Sequence, residues 1–166
     1  GALSARGWSG IVDAAGRAAG GVSVVNGEGP GVGTALSAHP DVEMVIVMNR
    51  ERDARAQRIQ DQVRDRAGIR FIHVGGDPLD ALPLLAHLRK GGVVAIQIDR
   101  LPPGMRGRKV DLFGEPWAIP EGPLMLSALS GAPIVPTFTR RLGYLAYDID
   151  SLPPIRLPRR PSDAEI

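Results

Sequence analysis

The residues best suited to chemistry in this chain of 166 residues gather in one run, IQIDRLPPGMRGRK, where Asp99, Arg100, Arg106, Arg108 and Lys109 follow the apolar stretch VVAI. Arginine presents a planar fork that bonds phosphate or carboxylate in pairs. In open α/β sheets the ligand sits in the crevice outside the carboxyl ends of the strands. A cationic loop at the end of a buried strand therefore predicts an anion site. The alternative for Arg106, Arg108 and Lys109 is a solvated loop that touches anionic lipid headgroups.

Proton transfer needs a histidine or a tuned carboxylate, and the chain holds three histidines. His73 with Asp77, in HVGGD, stands at a strand end followed by a glycine turn, and is a candidate catalytic pair. The competing reading makes Asp77 the cap of the next helix and His73 a strand-end residue. His87, within an apolar helix, is expected to pack, and His39 before Pro40 reads as a helix-end residue facing the last carbonyls. Glu121 in IPEGP reads as structural, its carboxylate near the positive end of a helix. NGEGPGVG is a Gly-rich turn with neither the Lys-Ser/Thr of a P-loop nor GxGxxG spacing, although amides at the following helix start could bind an anion. Leu101, Met105, Leu112, Phe113 and Trp117 suit an acyl groove, a membrane contact or core packing.

The elements that must position these groups follow from periodicity. A helix is expected from Ser9 to Ala18, with Gly20 and Gly21 stopping it. Short apolar runs at 22–25, 43–48, 70–74, 93–98 and 133–138 read as strands buried on both faces. In ERDARAQRIQDQVRDRAG the apolar Ala56, Ile59, Val63 and Ala67 keep helical spacing, and the interleaved acids make its arginines a solvated face rather than a nucleic-acid stripe. PLDALPLLAHLRKGG is a second, largely buried helix. From Val93 to Phe138 the layout reads strand, basic loop, short helix, strand. Strands alternating with helices predict an α/β fold, a mainly parallel sheet flanked by helices on both faces. A turn centred on Gly143 adds an antiparallel strand, and Pro133 and Pro136 suggest an edge position or broken ladder bonding. Residues 151–166, rich in proline, are expected to run extended over the surface, so 1–166 reads as one domain.

Composition narrows the class. At 43% hydrophobic residues the chain can bury a core, and a net charge of +2 demands no acidic partner such as nucleic acid. Without cysteine there are no disulfides, no thiol catalysis and no cysteinyl metal site, which points to the cytosol. No metal site is predicted. No apolar run reaches the roughly 20 residues of a membrane span. The start lies in a helix-forming region and PSDAEI supplies no terminating element, so a longer parent chain is expected.

Three ordered pieces carry a resemblance: IQIDR, the basic loop running into VDLFGEPWAIPEGP, and SGAPIVPTF. Together they resemble the glycerolipid (lysophospholipid) and lipid A acyltransferases, including the lauroyl type, a superfamily that moves an acyl chain from a thioester carrier onto a membrane lipid. The resemblance implies a bacterial protein peripheral on the inner face of the cytoplasmic membrane. It also implies acyl-CoA or acyl carrier protein as donor, a lysolipid or lipid A precursor as acceptor, and no further cofactor. Asp99, with Arg100 or Arg106, would hold the acceptor's phosphate or carboxylate, and Arg108 would extend the site. The superfamily's H-x4-D/E pair, in which histidine takes the acceptor proton and the acid orients it, falls on Gly27 and Val32. No histidine of the chain has an acid five residues on. Two classes remain: an acyltransferase lacking this pair, and a silent module that binds lipid or acyl carrier.

Overall fold

A computed structural model describes residues 21–26, 43–49, 53–66, 70–75, 77–99, 101–143, 146–159 and 162. Six strands form one sheet: β1 (Gly21–Asn26), β2 (Met44–Asn49), β3 (Arg70–Val74), β4 (Val93–Ile96), β7 (Ile134–Gly143) and β8 (Ala146–Ser151), in the order β3-β2-β4-β1-β7-β8. The pairings β2 with β3, β2 with β4, β1 with β4 and β1 with β7 are parallel. The terminal β7–β8 pair is antiparallel, and there Arg140 and Asp148 face each other across the ladder at 2.8 Å. The β-branched runs read from sequence supply these strands, and the expected helix from Ser9 to Ala18 lies outside the described residues.

Between the strands lie α1 (Ala54–Arg66), α2 (Leu82–Arg89) and α3 (Gly122–Ser130). α2 packs against α3 and β4, and α3 reaches β1. Their apolar sides meet one face of the sheet in a core of Val45, Leu84, Leu88, Val94, Ile96, Leu126, Ala132 and Ile134, with Val47, Ile72 and Val74 packed against it. Register explains the choice: Val45 pairs with Val94 and Val47 with Ile72, so the two-residue alternation sends all of them to the same side. On α1, Ile59 is 55% exposed, so the predicted apolar stripe is not sealed there by described residues.

α2 is fixed at its end by a buried histidine. His87 Nε2 lies 3.0 Å from the Glu43 carbonyl and 3.2 Å from the Val93 carbonyl. The ring lies directly over Gly92, where a Cβ would collide with it. The packing expected of His87 is thus a specific one, since it ties the helix end to the starts of two neighbouring strands.

Two features depart from the sequence reading. Residues expected as loop form an antiparallel hairpin, β5 (Gly107–Leu112) with β6 (Glu115–Pro120), as a sheet of its own. The proline-rich tail does more than cover surface: Ile155 exchanges backbone hydrogen bonds of 2.8 Å with Ile134, and Leu157 packs on the core. Pro136 sits inside a strand paired on both sides, where the β7–β8 ladder starts at Thr137, and its carbonyl accepts from Leu152 N–H. The missing proline N–H therefore falls at the end of a ladder, in the place where its loss is cheapest.

Candidate functional site

Strand order marks crevices on both sides of β4, and the one between β4 and β1 lies on the side towards which the chain leaves β4. β1 is followed in the chain by β2, on one side beyond β4; β4 is followed in the sheet by β7, on the other side beyond β1. Neighbouring parallel strands whose chains depart in opposite directions make a topological switch point, the place where open α/β sheets bind ligands. The Asp99 loop leaves β4 at this crevice, and β1 ends beside it at Asn26, just before the Gly-rich turn. That turn, with Gly27 and Val32, lies outside the described residues, as does Arg100.

The Asp99 loop is held at several points. Asp99 is exposed at the strand end, while Ile98 before it packs on the core. Pro102 to Met105 form a β-turn closed by Met105 N–H to the Pro102 carbonyl at 3.2 Å. Pro103 takes its second position and Gly104, at φ 79°, its third, the arrangement that calls for glycine. The Leu101 side chain fills the space over Gly107 where any Cβ would stand. Downstream, Glu121 N–H donates to the Arg106 carbonyl at 3.2 Å, and the Trp117 indole N–H donates to the Asp99 carbonyl at 3.2 Å. The hairpin thereby folds back over the end of β4.

Among the predicted anion ligands, Asp99, Arg106 and Lys109 are exposed and Arg108 is half-buried. The Arg108 Nε lies 4.0 Å from Glu121 Oε1. Glu121 stands at the start of α3 without a side-chain cap bond, so its carboxylate serves Arg108 as well as the helix dipole. Sequence reasoning placed Glu121 at the helix start but not against Arg108, because that contact depends on the hairpin.

His73 and Asp77 have other partners. His73 Nε2 lies 3.4 Å from Asp61 Oδ1 of α1, on the face of the sheet opposite the main core. Asp77 accepts the Leu79 N–H at 2.7 Å, and its own N–H donates to Asp80 at 3.0 Å, a capping box on the short 3-10 helix Pro78–Ala81. β3 is three strands from β1, about 14 Å at ordinary strand spacing. The described surface also has a depression of about 480 Å³ lined by Arg89, Leu129, Ser130 and Arg159. It lies at the carboxyl ends of α2 and α3, away from the Asp99 loop.

The model for bacterial lipid A biosynthesis acyltransferases matches residues 32–166. The chain belongs to this family. The match takes in β2 through β8, the Asp99 loop and the hairpin, but not β1, which forms the other side of the crevice. It begins after Gly27 and includes Val32. No curated protein matches the chain. None of the described helices is long and apolar enough to cross a membrane.

Proposed function

We propose that this chain serves acyl transfer from acyl-CoA or acyl carrier protein to a lysolipid or lipid A-type acceptor. In this reading the acceptor's phosphate binds at the switch point between β4 and β1. The family match supports the reaction class, and the braced loop carrying Asp99 and Arg106 beside the end of β1 supports the place. Arg106 and Arg108, with Arg100, supply cationic forks for phosphate, while Asp99 accepts from an acceptor hydroxyl or amine. The sheet is flanked on both faces in this reading: His73 meets Asp61 of α1 on one, and α2 and α3 pack on the other.

A second reading rests on Gly27 and Val32, where the superfamily has its histidine and acid. With no proton acceptor there, the chain keeps the pocket as a lipid- or carrier-binding module, peripheral on the cytoplasmic membrane. Both readings require acceptor binding, and they part at turnover. The deciding experiment measures binding of a phosphorylated lysolipid or lipid A precursor, then acyl transfer to it from each donor by mass spectrometry. Binding with background transfer selects the module, binding with product selects the enzyme, and failure of both ligand classes to bind overturns the site.

A further inference from the structure

The β5–β6 hairpin stands apart from the main sheet, and its residues from Asp111 to Trp117 are all exposed. The chain reverses at Phe113 and Gly114, whose φ angles are 57° and 82°, between the paired Leu112 and Glu115. Two successive residues of positive φ make the primed two-residue turn that suits the twist of a hairpin. The Asp111 carboxylate accepts the Gly114 N–H at 2.9 Å and braces it. Asn, Asp or Gly normally takes the first of these positions, because a larger side chain is crowded in the left-handed region. Here the residue is phenylalanine.

Phe113 is also 97% exposed. The described residues thus offer it almost no packing to offset an unfavourable backbone. Leu112 and Trp117, 45% exposed each, flank the tip on one face of the ribbon, since Val110 pairs with Trp117 and Leu112 with Glu115. Behind them come Arg106, Arg108 and Lys109. Lys109 is four residues from Phe113, about 13 Å along a strand. Apolar elements that lie at a bilayer interface sink roughly 5–10 Å, so a tip buried to that depth leaves Lys109 near the level of the lipid phosphates. Glu115, across from Leu112, limits insertion to the two apolar residues at the turn.

We propose that the β5–β6 hairpin is a membrane-docking element: Phe113 and Leu112 enter the interface of an anionic bilayer, and Lys109 meets its phosphates. A narrow tip fits this partner better than a protein, because a stable protein interface covers about 800 Å² on each side, whereas a fluid interface is engaged by single side chains. The Trp117–Asp99 hydrogen bond sets the middle of the hairpin against the end of β4, so docking presents the crevice there to membrane lipid. The proposal goes beyond the acceptor site, and its test requires no acyl transfer.

The test is flotation of the full chain with vesicles of phosphatidylcholine, with and without phosphatidylglycerol. Phe113→Asn removes the apolar tip yet suits positive φ better than Phe, so the hairpin is kept. Expected results are binding that grows with phosphatidylglycerol and falls with salt, a loss of about tenfold or more in Phe113→Asn, and a melting temperature equal to or above that of the parent. Phe113→Leu should keep most of the binding. Parent-like binding by Phe113→Asn overturns the proposal, as does binding indifferent to phosphatidylglycerol. Self-association without lipid that Phe113→Asn abolishes would make the tip a protein contact, and would overturn it too.

Discussion

The indole N–H of Trp117 donates to the backbone carbonyl of Asp99 at 3.2 Å, so the side chain in the middle of β6 fixes the last residue of the strand end that opens the crevice. The bond closes the intervening loop and turn into a single ring of structure. Its direction matters, because the carbonyl is used and the Asp99 carboxylate is left for a ligand. Trp117→Phe keeps most of the ring and removes the donor. The expected cost is about 1 kcal/mol in unfolding free energy, with faster amide exchange across residues 101–106. Unchanged exchange in that loop would mean that the hairpin does not clamp it.

His87 and Gly92 form a second dependent pair. A methyl group at Gly92 would overlap the imidazole, which is held between the Glu43 and Val93 carbonyls. Gly92→Ala should destabilise by about 1–3 kcal/mol through overpacking. His87→Ala should destabilise as well, by opening a cavity and removing the imidazole contact shared by the two carbonyls. In the double variant the methyl has room, so denaturant melts should show a combined loss smaller than the sum. Strict additivity would contradict the contact.

The parallel strands were legible because they are short apolar, β-branched runs punctuated by glycine and proline; the expected 70–74 is β3 itself, and 43–48 differs from β2 by one residue. The position of the charged loop at the end of β4 was legible because it follows such a run. The hairpin was not. Its alternation of Val110 and Leu112 with Trp117 and Ile119 is present, yet the usual turn signal, Asn-Gly or Asp-Gly, is replaced by Phe-Gly, and two prolines in β6 argue against a strand. The partnership of His73 with Asp61 was illegible for a different reason. It joins an edge strand to the helix before it, and nothing in local spacing shows which face a strand-end histidine takes.

Arg106 and Arg108 test the acceptor site. Replacing both by Ala should weaken binding of a soluble phosphate-bearing acceptor headgroup by about tenfold or more, since charged hydrogen bonds contribute about 1.5–3 kcal/mol. The difference from the parent should shrink as salt rises, because exposed charges are screened over about 10 Å at 0.1 M ionic strength. Arg108 is half-buried beside Glu121, so a melting curve must accompany the titration. Full-strength headgroup binding by a folded double variant would move the anion site elsewhere.

Gly27 and Val32 give the last prediction. In this superfamily's mechanism a histidine removes the acceptor proton as its oxygen or nitrogen attacks the thioester, and an acid holds the imidazole in the working tautomer. Neither glycine nor valine does either task. General-base help is worth about 10²–10⁴-fold, so the chain should transfer acyl groups at least a hundredfold more slowly than a relative with the pair, even with donor and acceptor both bound. Gly27→His with Val32→Asp should raise the rate, because β1, which ends one residue before Gly27, neighbours the strand that carries Asp99. His73→Ala should leave the residual rate unchanged, since His73 stands three strands away with Asp61 as its partner. Robust turnover by the parent chain that disappears in His73→Ala would instead put the chemistry at the end of β3.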